Sequence, residues 1–134
     1  MATDKIIYLA YSEAVVIHIA LMQELGETRF GVFAPDLIES ALARPRHLAV
    51  YENADIIRQA STLCYGLIKN HPWLGGNKRT ATVLMDVFLW ENGWQTIARK
   101  IEVIEMVLAV EADLWRVDEI ENWLRQRVVA LENE

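Results

Sequence analysis

The sequence predicts an all-α fold, a bundle of about six helices with at most a small β-ribbon, and three observations carry that prediction. Apolar residues recur at three- and four-residue spacing through most of the chain, the period of a helix with one buried face. The stretches that read as possible strands, residues 6–9 and 94–97, are short. No repeat, low-complexity tract or linker marks a second domain, so the 134 residues read as a single domain over 1–134. A chain of that length buries about 70% of its unfolded surface, enough for one sizeable core.

Ile6, Ile7, Tyr8 and Leu9 are expected to pair with Trp94, Gln95, Thr96 and Ile97 as the ribbon. Ser12 is a plausible N-cap for a first helix whose apolar face, Ala14, Ile17, Leu21 and Leu25, ends at Gly26. Asp36 caps a short helix running through Ala43 and stopped by Pro45, because proline lacks the N–H that an inner helical position needs. Ile56, Ala60, Leu63 and Leu67 define a long helix over about 54–69, closed before His71 and Pro72. Ala81, Leu84, Met85 and Phe88 define the next, over about 77–91, with Asn92 and Gly93 as its stop. Val103, Val107, Val110 and Leu114 mark a helix near 100–112, and Ile120, Trp123, Leu124 and Leu131 another near 118–131.

The bulk chemistry narrows function. A formal net charge of −6 and a pI near 5.1 argue against direct nucleic-acid binding or an anionic membrane surface, both of which need clustered Lys and Arg. No apolar run approaches a membrane span and no signal-peptide pattern opens the chain, so a cytoplasmic protein is expected. The single cysteine, Cys64, sits in an apolar helical run and reads as a buried free thiol. His18 lies on the apolar face of the first helix and reads as a satisfied core histidine, while His47 falls in a basic loop, Arg44-Pro45-Arg46-His47. Zinc-hydrolase and P-loop signatures are absent.

One stretch concentrates chemistry: His71-Pro72-Trp73-Leu74-Gly75-Gly76-Asn77-Lys78-Arg79-Thr80, between two helices. A helix start presents unpaired N–H groups and the positive end of the dipole, and so favours oxyanions. Gly75 and Gly76 let the backbone approach a phosphate closely. Lys78 and Arg79 stand in the first turn, where the dipole disfavours them by a few tenths to about 1 kcal/mol each, so they call for an anion, either a ligand or a carboxylate from elsewhere in the fold. Asn77 either caps the helix or hydrogen-bonds a phosphate. His71, an imidazole held at a turn, is the candidate general base. Trp73 is expected to anchor the turn in the core.

These residues resemble the active-site motif of the Fic/Doc superfamily, His-x-Phe-x-(Asp/Glu)-(Gly/Ala)-Asn-(Gly/Lys)-Arg, with Trp73 in the place of Phe. The likeness extends to Ile17-His18, to the run from Leu37 to Pro45, and to Thr80-Ala81 with the helix ending Glu91-Asn92-Gly93. Lys78 resembles the death-on-curing (Doc) branch, whereas adenylylating Fic enzymes carry glycine there. The resemblance implies a toxin of a toxin–antitoxin system, a kinase that passes the γ-phosphate of ATP to a threonine of elongation factor EF-Tu and so blocks translation. It implies His71 as catalytic base, Gly76, Asn77, Lys78 and Arg79 as nucleotide-binding residues, and Mg²⁺ as the family's metal. It also implies a Phd-like antitoxin that folds a helix into a groove, since no Ser/Thr-x-x-x-Glu-Gly/Asn inhibitory string occurs.

Gly75 departs from the pattern. The family has an acid there to hold Mg²⁺, and glycine offers no side-chain oxygen. A weakened or repurposed homologue, an acid removed to permit production of a toxic protein, and a substitute carboxylate nearby all stay open. Two rival functions follow: a catalytically silent Fic/Doc-fold binding protein, favoured by Gly75, and an adenylyltransferase, disfavoured by Lys78.

Overall fold

The computed structural model describes residues 5–132 and contains six helices and one two-stranded ribbon. The elements are α1 (Tyr11–Glu24), α2 (Pro35–Glu52), α3 (Ile56–Asn70), α4 (Asn77–Glu91), β1 (Trp94–Thr96), α5 (Lys100–Glu111), α6 (Val117–Arg125) and β2 (Val128–Ala130). This is the all-α bundle that the apolar periodicity predicts.

α3 is the axle. It packs against α2, α4, α5 and α6, and its burial runs almost around the helix, including the polar Gln59, Ser61 and Thr62. Two of them have partners: Gln59 accepts from the Tyr8 hydroxyl at 2.9 Å and donates to the Ala54 carbonyl, and the Ser61 hydroxyl donates to the Ile57 carbonyl. Gly66 faces Ala41, whose Cβ lies 3.4 Å from where a Cβ at 66 would stand, so α2 and α3 approach closely. Cys64 is fully buried here, and burial pushes its thiol up to about 12.

Several expectations need correction. α1 begins at Tyr11, not after a Ser12 cap; the Ala10 N–H donates instead to Glu13 Oε1 at 3.1 Å, and α5 and α6 start the same way through Glu102 and Glu119. The buried face of α1 is Ala14, His18 and Met22, one position round from the predicted stripe. α2 runs straight through Pro45 to Glu52, where Asn53 ends it in a left-handed conformation, φ 53°. The buried Pro45 ring makes tertiary packing, not local preference, the deciding term. The stretch of Arg44, Arg46 and His47 is therefore helix, with the Arg46 guanidinium over the Tyr8 ring.

The ribbon also differs. β1 pairs antiparallel with β2, Trp94 opposite Ala130 and Thr96 opposite Val128, so the last predicted helix stops at Arg125 and Leu131 lies beyond the strand. Residues 6–9 form no strand because the Asn92 side chain substitutes for one: its Oδ1 accepts from Ile7 N–H at 2.8 Å and its Nδ2 donates to the Ile7 carbonyl at 2.9 Å. Leu114 falls past the end of α5 and is 75% exposed.

Candidate functional site

The site grows from the junction of α3 and α4. α3 ends at Asn70, and His71 turns into the left-handed region, φ 47° and ψ 56°. For a residue with a Cβ that conformation costs about 1 to 3 kcal/mol, sustained only where the surroundings impose it. Here they do. Pro72 and Trp73 are both buried, and the segment after them runs beside residues 29–34. The Leu74 N–H donates to the Gly31 carbonyl at 2.9 Å, the N–H groups of Phe33 and Ala34 both donate to the Pro72 carbonyl, and Arg29 Nε donates to the Leu74 carbonyl at 3.0 Å.

Asn77 closes the turn. Its Oδ1 accepts from the Trp73 N–H at 2.9 Å and its Nδ2 donates to the Trp73 carbonyl at 3.0 Å, so both ends of the amide are engaged with one residue's backbone. The cap position itself is Gly76, at φ +69°, and a Cβ there would collide with the Met22 thioether. Thr80 N–H is the first to bond back into α4, to the Gly76 carbonyl, so the N–H groups of Asn77, Lys78 and Arg79 precede the hydrogen-bonded ladder.

Three of these segments meet at His18, which is fully buried. Its Nε2 accepts from the Gly31 N–H at 3.0 Å, so Nδ1 carries the proton and donates to Thr80 Oγ1 at 2.8 Å. Its ring stacks on Trp73 with centroids 4.1 Å apart. Burial holds its pKa down at about 4, so it is neutral at physiological pH, a satisfied core histidine as the sequence implies. Trp73 anchors the turn as expected, at 2% exposure.

A cleft of about 620 Å³ opens between the start of α4 and α5. His71, Lys78 and Arg79 line one side, and Val103, Val107 and Leu108 of α5 line the other. No local sequence pattern assigns a residue of α5 to the site, yet the helix ends on Glu111, whose Oε1 lies 3.3 Å from Lys78 Nζ and whose Oε2 lies 3.7 Å from His71 Nε2. Glu111 is a carboxylate from elsewhere in the fold standing beside Lys78. Its only sequence signal was register: it follows Val107 by one helical turn and so shares the inward face. Arg79 is exposed and pairs with no carboxylate among the described residues.

The donor set for a metal is sparse. No group of three or more His, Cys, Asp or Glu side chains among the described residues could hold a metal ion. A Cβ at Gly75 would run into the carbonyl oxygen of Arg29, so the backbone of residue 29 occupies the volume an acid would need. Among the described residues Glu111 is the one carboxylate lining the cleft. Mg²⁺ is commonly held by one or two carboxylates together with substrate phosphates, so the site fits the ion only in company with a phosphate ligand.

No helix among the described residues is long and apolar enough to cross a membrane. A protein-family model described as Fic/DOC family matches residues 8–89, more than half of the chain, spanning α1 to α3, most of α4 and the whole of the 71–80 stretch. The chain matches no curated protein.

Proposed function

Because the chain belongs to the Fic/DOC family, we propose that it is a Doc-type phosphotransferase that moves the γ-phosphoryl group of ATP to a protein hydroxyl. The observation that carries this reading is the convergence of His71, Lys78 and Arg79 on one cleft at the start of α4. In that arrangement the His71 imidazole takes the proton from the attacking hydroxyl as its oxygen bonds to the γ-phosphorus. The bond from that phosphorus to the β–γ bridging oxygen breaks, and ADP leaves. Lys78, Arg79 and the N–H groups of the first turn neutralise the phosphate oxygens, the main task in such a transfer. Asn77 positions the turn through the Trp73 backbone.

We infer from the same resemblance that the acceptor is a threonine of elongation factor EF-Tu and that the protein is a translation-blocking toxin acting in the cytoplasm. Its control then comes from a Phd-like antitoxin helix. The exposed apolar side chains Ile101, Ile104 and Leu108 along α5 offer that helix a surface.

A second reading has its own support. The Arg29 carbonyl packed over Gly75 and the Glu111 carboxylate paired with Lys78 and His71 suit a silent member that binds phosphates without transferring them. Incubating the chain with a cell lysate and ATP labelled at either the α- or the γ-phosphate separates the readings. Transfer of the γ label to a protein supports the kinase and transfer of the α label adenylylation. ATP binding with no transfer of either label supports the silent protein.

A further inference from the structure

We propose that Glu111 makes polyphosphate binding in this cleft depend on a divalent cation, supplying from the α5 wall the carboxylate that position 75 lacks. The inference rests on the phosphate-binding reading above. Among the described residues Glu111 is the one carboxylate lining the cleft, and its side chain is 25% exposed against 53% for Lys78 and 56% for His71, so it is the least solvated of the three. A polyphosphate drawn to Lys78 and to the start of α4 thus meets a negative charge already seated on that lysine. Gly75 cannot relieve the conflict, since it has no ligand atom and the Arg29 carbonyl stands where a side chain would begin.

Charge decides the direction of the effect. A cleft built only of cations and N–H donors prefers a metal-free polyphosphate, whose charge is more negative by that of the missing cation. With Glu111 in place the preference inverts: the bare polyphosphate is repelled, whereas its Mg²⁺ complex brings an ion that both the carboxylate and the phosphates can ligate. One unit charge at contact distance in a half-solvated site changes affinity by about tenfold or more. Removing the carboxylate therefore reverses the sign of the magnesium effect as well as changing overall affinity.

Calorimetric titration of the full chain with inorganic tripolyphosphate, in metal-free and magnesium buffers of equal ionic strength, tests this. The wild type is expected to bind about tenfold tighter with magnesium, and Glu111→Gln tighter without it. Thermal melts check that the variant is folded. Should it not fold, Mn²⁺ added with tripolyphosphate to the wild type must broaden the Glu111 amide resonance, and an unbroadened signal refutes the proposal. An identical magnesium response in wild type and Glu111→Gln, with binding abolished by Arg79→Ala, overturns the role of Glu111 and leaves the phosphate site standing. Absence of tripolyphosphate binding in every chain and buffer overturns the phosphate reading and this inference with it.

Discussion

His18 is where a single side chain carries the most consequence. Its unprotonated Nε2 is the acceptor for the Gly31 N–H, so the folded state requires the neutral ring. Burial keeps the folded pKa at about 4 against 6.5 for an unperturbed histidine. Between those values the unfolded chain binds a proton that the folded chain does not, and stability rises with pH. The His18 contribution is complete above pH 6.5 and is lost as pH falls through 4, by about 3 kcal/mol at 1.36 kcal/mol per unit. Urea unfolding at several pH values across that window should show the decline. His18→Gln, whose amide can still donate and accept, should lower stability at pH 7 but flatten the slope; an unchanged slope would place the pH sensitivity elsewhere.

Between elements, the most exacting fit is that of the 29–34 segment over the 71–77 turn. Gly75→Ala must displace the Arg29 backbone, and overpacking of that kind costs about 1 to 3 kcal/mol. Denaturant midpoints should fall accordingly; a neutral result would show that residues 29–31 move at little cost and that an acid at 75 can enter. At the other end of α3, Asp55 caps the helix by accepting from the Arg58 N–H at 3.0 Å and also accepts from Arg125 of α6. Burial alone would raise its carboxyl, but the Arg58 N–H and the Arg125 guanidinium hold it below the usual carboxylate range. Asp55→Ala should cost about 1 to 2 kcal/mol, read as a lower thermal midpoint at neutral pH. α3 and α4 were legible in the sequence because a clear apolar period meets strong breakers, His71-Pro72 after one and Asn92-Gly93 after the other. The second half of α2 was not, since Pro45 signals a stop that burial overrides, and the ribbon was mispaired because one asparagine can imitate a strand edge.

At the scale of the whole molecule, one wall of the cleft was readable and the other was not. His71, Gly76, Lys78 and Arg79 are neighbours in sequence, and the local chemistry of a helix start singles them out. Glu111 is brought to them only by the packing of α5, a fact that no local pattern encodes. A partner helix docked on the exposed apolar strip of α5 should stabilise the domain by mass action, about 2.7 kcal/mol at a hundredfold excess over Kd. Co-purification from the native host followed by thermal melts with and without the recovered partner checks this; a partner that binds equally well to an Ile104→Glu, Leu108→Glu variant uses another surface. The family match ends at residue 89 and α5 begins at Lys100, so the two walls lie on opposite sides of that boundary. The wall carrying His71, Lys78 and Arg79 falls inside the matched span, whereas the facing wall carrying Glu111 lies beyond it. On the function proposed above, substitution along α5 would therefore change the cation requirement and the docking partner while leaving the start of α4 untouched.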